Sequence, residues 1–367
     1  MTLRAIASVF FILKSNGFFY HHTHTDRHAN NHYLQNRGDS QRPPFRAVIV
    51  VKQILAALTL LLSHAMVQAQ PSVIRLMVGF PAGGGTDAIA RMLGEQLGPA
   101  LGANVIVENK AGAGGQIAAQ ALKAAPKDGS VLFLSHDHTI SILPLVLKNP
   151  GFRPQEDFTP VAGFASFANG LAVSPGTPAT SYAQYLDWLR SKDSARLSVG
   201  IPAPASVPEF LVKALATQAK LDLQPVPYRG SAPMLIDMLG NQIPAGVASV
   251  PDFIEYIKAG KVRMLAVLGK QRQALLPDVP TLAELGLTGF DDLPYYGIFA
   301  PAGTPQQVTA RYAAAIEKVL QQPQLRERLQ GLGLTVEFMS SLALAERERT
   351  YSQSWARLIQ SNGFVPQ

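Results

Sequence analysis

The sequence predicts an α/β protein built as two lobes, and three observations carry that expectation. Strand-like runs followed by a turn and a helix-like run repeat through residues 73–134. The same alternation restarts after a long apolar stretch, "VAGFASFANGLAVS", at residues 161–174. A last strand-like run, "LPYYGIFAPAGTP" at residues 293–305, then returns to further helices. Two α/β units joined by two extended crossings describe a hinged clamshell.

The first unit opens with Ile74, Leu76, Val78 and Phe80 alternating with other residues, the period of a half-buried strand. Ile89, Met92, Leu93 and Leu97 then recur at helical spacing. Between the two runs lie Phe80, three glycines (Gly83, Gly84 and Gly85), Thr86 and Asp87. Glycines can adopt positive φ and leave backbone amides uncovered, and Thr86 or Asp87 can cap the helix. The first-turn amides of a helix lack intrahelical acceptors, and its dipole favours negative charge there. Two readings stay open for this turn: a seat for an anion, or a tight connection whose glycines let the helix pack on its strand. A P-loop is excluded, because no Lys-Ser/Thr pair follows Gly85. A loose dinucleotide fingerprint is present in Gly83, Gly85 and Ala88, with Glu108 further on. The export signal described below removes the chain from the cytoplasmic cofactor pool, and no cofactor is expected.

A second strand at Val105, Ile106 and Val107 feeds another glycine turn, "AGAGG", and a helix; residues 131–134 read as a third buried strand. This βαβαβ order predicts a parallel sheet with right-handed crossovers. Ligands in such sheets sit beyond the carboxyl ends of the strands, where the glycine turns and "SHDHT" at residues 135–139 gather. In the second unit, Leu197, Ser198 and Val199 lead through "GIPAPAS" to a helix over residues 207–219. Val226, Pro227 and Tyr228 lead through Gly230 to the helix "SAPMLIDMLG", with Ser231 as N-cap and Ala232 and Pro233 in the first turn. "IPAGVAS", a helix around residues 254–258, and "VRMLAVL" complete the unit, and helices at 307–320 and 325–329 follow the return. The expected division is lobe 1 at 70–170 and 295–367, and lobe 2 at 171–294.

The beginning of the chain reads differently. Residues 21–46 are polar and rich in His and Asn without periodicity, so residues 1–50 are expected to be a disordered or mis-called extension. Lys52, the apolar run 54–62 and the small-residue site Val67-Gln68-Ala69 make residues 51–69 a Sec-type signal peptide, cleaved after Ala69. The apolar run is shorter than the ~20 residues a spanning helix needs. The signal would be complete if translation began at Val51 on a GTG codon.

Seven of the 32 Lys and Arg and two of the 25 Asp and Glu lie in residues 1–69, leaving 25 basic and 23 acidic residues, net +2. That balance gives no support to nucleic-acid binding. There is no cysteine, which excludes disulfides, thiol catalysis and a lipid-anchored N-terminal Cys. The exported chain is expected free in the periplasm, as a monomer.

The blocks "GFPAGGGTDAIAR", "VIVENKAGAGGQIAA", "APKDGSVLFL", "VPYRGSAPMLIDMLG", "IKAGKVRMLAV", "LPDVPTLAELG" and "GIFAPAGTP" occur in that order from residue 72 onward. In this the chain resembles the Bug (TctC-like) extracytoplasmic receptors of tripartite tricarboxylate transporters. The resemblance implies a two-lobed type II periplasmic-binding-protein (Venus-flytrap) fold that closes on a small carboxylate and delivers it to membrane permease subunits. It carries the family's first binding loop onto Phe80, Gly83, Gly84, Gly85, Thr86 and Asp87, and its second-lobe helix start onto Gly230, Ser231, Ala232 and Pro233. On this reading the turn holds a ligand carboxylate through backbone amides and the Thr86 hydroxyl.

Two departures bear on the ligand. Where family members commonly show a Ser-Gly-Asn-Gly-rich loop followed by His, this chain has residues 201–206, "IPAPAS", and Glu209; where an Asp-Asn pair is frequent, it has Ala248 and Ser249. Fewer side-chain donors leave a more apolar pocket, with Ser206, Ser249 and, near the return crossing, Tyr295 as contacts. A monocarboxylate, aromatic or aliphatic acid is therefore expected rather than citrate.

Three other functions were weighed. His136 and His138, two apart on an extended segment, point the same way, but zinc needs a third protein ligand and none is identifiable. No metal is expected, and His138 is assigned to ligand contact. A Ser-His-Asp hydrolase lacks a Gly-x-Ser-x-Gly elbow, and neither Ser206 nor Ser231 has a nucleophile's context. A receptor reporting to a sensor protein cannot be separated from a transport receptor by sequence. Arg75, Arg91 and Arg229 are left outside the site, since single basic residues beside such turns are more often solvated or paired.

Overall fold

A computed structural model describes residues 73–191, 197–290, 292–361 and 363–366. The expected extension and signal peptide lie outside the described residues. Two sheets organise the rest. The first runs β11-β4-β10-β3-β1-β2, from β1 (Val73–Val78), β2 (Asn104–Asn109), β3 (Val131–His136), β4 (Phe158–Ser166), β10 (Tyr295–Pro301) and β11 (Thr335–Met339). The second runs β7-β6-β8-β5-β9, from β5 (Asn169–Val173), β6 (Ser198–Ile201), β7 (Gln224–Pro227), β8 (Ala245–Ser249) and β9 (Arg263–Val267).

The sheets are mixed, which corrects the expectation of a parallel first sheet. β1 pairs in parallel with β2 and β3, but β10 is antiparallel to both β3 and β4. The reason is the double crossing: β4 leaves for the second sheet and β10 comes back from it, so the two must run in opposite directions. β5, arriving in the second sheet, is likewise antiparallel to β8 and β9, while β6 is parallel to β7 and β8. The outgoing crossing is only Phe167 and Ala168, because β5 already begins at Asn169. The Phe167 amide donates to the Pro294 carbonyl at 3.1 Å, tying the two crossings together.

Helices cover both faces of the first sheet. α1 (Gly85–Leu101) buries Ile89, Leu93 and Leu97 in one cluster with Ile74, Leu76 and Val78 of β1 and with Ile316 and Val319 of α7 (Gln306–Leu320). It ends at Gly102, whose φ of 60° suits a left-handed C-terminal cap. On the other face α2 (Gln116–Lys123) and α9 (Ser341–Ser361) pack Ala118, Leu122, Leu344, Tyr351 and Trp355 with Met77, Phe133 and Phe299. α3 (Tyr182–Arg190), α4 (Val207–Ala219), α5 (Ser231–Leu239) and α6 (Val250–Lys258) belong to the second unit, and α8 (Pro323–Gly331) follows α7. α3, β11 and α9 add to the elements expected from sequence. α9 also reaches the second unit, with Trp355 5.5 Å from the Phe210 ring of α4.

Candidate functional site

The carboxyl ends of β1, β3, β6 and β8 feed one cavity. Its lining includes Phe80, Gly84, Thr86, His136, Asp137, His138, Phe167, Asn169, Ser206, Val207, Ser231, Ser249, Asp252 and Tyr296, and its volume is small, about 50 Å³. No Lys or Arg lines it. Helix N-termini surround it instead: α1 begins after Gly84, α4 after Ser206, α5 after Gly230 and α6 after Ser249. Their first-turn amides lack intrahelical acceptors and carry the positive end of each dipole.

The glycine turn does hold an anion, and that anion belongs to the chain. The Gly85 amide donates to Asp252 Oδ1 at 2.9 Å. Ser231 Oγ donates to the same oxygen and Ser249 Oγ to Oδ2, each at 2.5 Å. Asp252 lies in the first turn of α6, a helix that begins four residues earlier than the sequence suggested. Sequence reasoning missed it, although Pro251 followed by an acid at a helix start was a usable signal.

Local roles also differ from expectation. Neither Thr86 nor Asp87 is an N-cap; the cap is Gly84, at φ −85°, and only Gly83 of the three glycines has positive φ. Gly84 and Gly85 are needed for close approach: a Cβ on Gly84 would lie 2.9 Å from Ser231 Oγ, and one on Gly85 3.0 Å from Asp252 Oδ1. Asp87 braces the turn, accepting from the Gly83 amide, Asn109 Nδ2 and Arg91 Nε, each at 3.0 Å. Burial works against its ionisation, but Arg91, Gly83 and Asn109 hold its carboxyl below the usual range. Ser231 is the first helical residue and not the N-cap, which is Gly230.

Of the residues expected at the site, Phe80, Gly84, Thr86, His138, Ser206, Ser231 and Ser249 line the cavity, and Gly85 touches it through Asp252. Gly83, Asp87, Gly230, Ala232, Pro233 and Tyr295 do not. Tyr295 points to the opposite face of β10, where its hydroxyl meets Ser141 Oγ at 2.8 Å. Its neighbour Tyr296 faces the cavity and meets Thr86 Oγ1 at 3.2 Å, as strand alternation requires.

One wall is aromatic. His136 stacks on Phe80 at 4.8 Å between ring centroids and meets Phe167 and Tyr296 edge-on. Its Nδ1 lies 3.2 Å from Asp137 Oδ1, and Asp137 Oδ2 accepts from Tyr351 Oη at 2.9 Å. His138 sits in a π-helical turn, His138–Ile142, and is 4% exposed, with neither ring nitrogen hydrogen-bonded. Burial, then the neighbouring His136, pushes its pKa down to about 3, so the imidazole is neutral. Among the described residues no group of three or more His, Cys, Asp or Glu could hold a metal ion. Ser206 donates to the Ala203 carbonyl at 2.6 Å and Ser231 to Asp252, so neither hydroxyl is paired with an imidazole as a triad requires.

The comparisons decide the family. The tripartite tricarboxylate transporter family receptor, TctC, matches residues 89–364. This chain is a TctC family receptor. A Pseudomonas sp. (strain P51) relative, the UPF0065 protein in the tcbD-tcbE intergenic region, is 32% identical over 87% of the TctC receptor described here and 97% of its own length. The structure of periplasmic binding protein BugD matches with a TM-score of 0.76 and 30% identity, covering 80% of this chain and 98% of BugD. R. palustris Rpa4515 with adipate matches with a TM-score of 0.76 and 27% identity, covering 80% and 98%. The TctC receptor thus has the periplasmic-binding-protein fold, in a family of binding proteins. No helix among its described residues is long and apolar enough to cross a membrane.

Proposed function

We propose that this TctC receptor is exported through the signal peptide at residues 51–69, closes two lobes over a small organic acid, and presents it as a monomer to membrane permease subunits of a tripartite tricarboxylate transporter. The observation that carries this reading is the convergence of helix N-termini from both sheets on one cavity lined by no Lys or Arg. Helix ends bind carboxylates without formal positive charge.

With the α1 and α5 ends occupied by Asp252, the ligand carboxylate is assigned to the first turn of α4, beside the Ser206 hydroxyl and His138. A neutral imidazole keeps one N–H to donate, and that of His138 has no partner within the protein. Phe80, Phe167, Val207 and Pro208 supply apolar walls for the rest of the ligand. The adipate on the R. palustris relative supports an organic acid as the ligand class.

The test is a thermal-shift screen of protein unfolded and refolded to strip carried-over ligand, against mono-, di- and tricarboxylates and amino acids. A ligand at a hundredfold its Kd stabilises by about 2.7 kcal/mol. Monocarboxylates are expected to give the largest shift, reduced in Ser206→Ala. Shifts from tricarboxylates alone would reject the ligand class; turnover of an ester panel would reject the receptor reading in favour of a hydrolase.

A further inference from the structure

The cavity already contains a carboxylate, bound as a ligand's would be. Asp252 accepts from Gly85 at the start of α1, from Ser231 at the start of α5 and from Ser249 at the cap of its own helix, α6. The positive ends of three helices therefore meet on one side chain. Gly84 and Gly85 fit the arrangement, since a side chain on either would collide with Ser231 or Asp252.

We propose that Asp252 is the built-in occupant of an anion seat in the cleft, and that it restricts the ligand to acids with a single carboxylate whose far end is uncharged. This deepens the receptor reading above and rests on it. A carboxylate offers about four lone-pair sites, and three on Asp252 are filled. A second ligand carboxylate reaching this end would find those donors spent and would face the Asp252 charge. Asp137 adds another acidic side chain to the lining, itself engaged by His136 and Tyr351. No basic side chain of the lining offsets either.

The other end of the cavity differs in kind. His138 is buried and neither of its ring nitrogens is partnered, so it retains an unspent donor. The ends are thus complementary to a polar ligand: a donor and the α4 helix end for its carboxylate, and an occupied acceptor site for a hydroxyl, amide or methyl terminus.

The experiment compares wild type with Asp252→Ala, which vacates the seat, by thermal shift in formate, acetate, butanoate to hexanoate, and succinate to adipate. Formate or acetate is expected to raise the Tm of Asp252→Ala and leave wild type unchanged. Butanoate to hexanoate should stabilise wild type, and the matched dicarboxylates only the variant. Wild type binding dicarboxylates as well as their matched monocarboxylates would overturn the proposal and leave the receptor reading intact. Formate and acetate acting alike on both proteins would overturn the seat itself. If formate rescues the variant but no longer acid binds either protein, Asp252 keeps its role and the carboxylate-receptor reading falls. Should Asp252→Ala fail to fold, Asp252→Asn preserves shape without charge, and it must then bind dicarboxylates more tightly than wild type.

Discussion

Gly85 and Asp252 lie 167 residues apart in sequence and 2.9 Å apart in space, the amide of one donating to the carboxylate of the other. This bond joins the start of α1 to the start of α6, and so couples the two sheets' units at the mouth of the cavity. Gly85→Ala tests it. Alanine favours a helix over glycine by about 1 kcal/mol, but its Cβ would lie 3.0 Å from Asp252 Oδ1 and 3.2 Å from the Asp252 backbone nitrogen. The variant should fold and yet close poorly, with ligand affinity down at least about tenfold, equivalent to ~1.4 kcal/mol. Small-angle scattering and calorimetric titration check the two halves of this expectation.

The neighbours Tyr295 and Tyr296 should separate stability from binding. Tyr295→Phe strands the Ser141 hydroxyl in the core and should cost about 1–2 kcal/mol of stability with ligand affinity unchanged. Tyr296→Phe removes the partner of Thr86 in the cavity wall and should weaken binding. Denaturant melts and titrations on both variants distinguish them; equal binding losses would contradict the assignment of faces.

His138 predicts an acid-side loss of stability. Its unfolded imidazole titrates near 6.5 and the folded one at about 3, so between these values the unfolded chain binds the extra proton. Stability should fall as pH drops from 6.5 toward 3, by up to about 1.4 kcal/mol per unit from this group. Urea melts across that range should show a shallower slope for His138→Asn.

Glu348 acts in the opposite sense. It is buried, accepts from Gln155 at 2.7 Å, and burial pushes its pKa from 4.5 up to about 7. Its contribution is complete below pH 4.5 and lost as pH rises through 7. Glu348→Gln should therefore gain on wild type across that window and remain more stable at pH 8. An unchanged difference between pH 4.5 and 8 would contradict the shift.

Export gives a chemical prediction. N-terminal sequencing of the protein from the periplasm should begin at Gln70, and the precursor should begin at residue 51 as Met-Lys-Gln-Ile-Leu. Any peptide spanning residues 18–46 recovered from cells would rule out the start at 51.

The sequence by itself determined what is local. Period-two and period-3.6 apolar patterns placed β1, α1, β3, α4 and α7, and the ordered blocks around them named the family, because side-chain periodicity and turn chemistry act over a few residues. The signal in α9 was of the same kind, with Leu344, Glu348, Tyr351, Trp355 and Ile359 buried at helical spacing, but its many charged residues masked the stripe. Only the tertiary structure decided the rest. The choice of Tyr296 over Tyr295 for the cavity follows from how β10 lies between β3 and β4. That Gly84 and Gly85 make room for a neighbour, and that the anion they receive is Asp252, follows from the approach of α1, α5 and α6 across the cleft. Short-range patterning carries no record of which distant residues will meet, and the character of this site depends on that meeting.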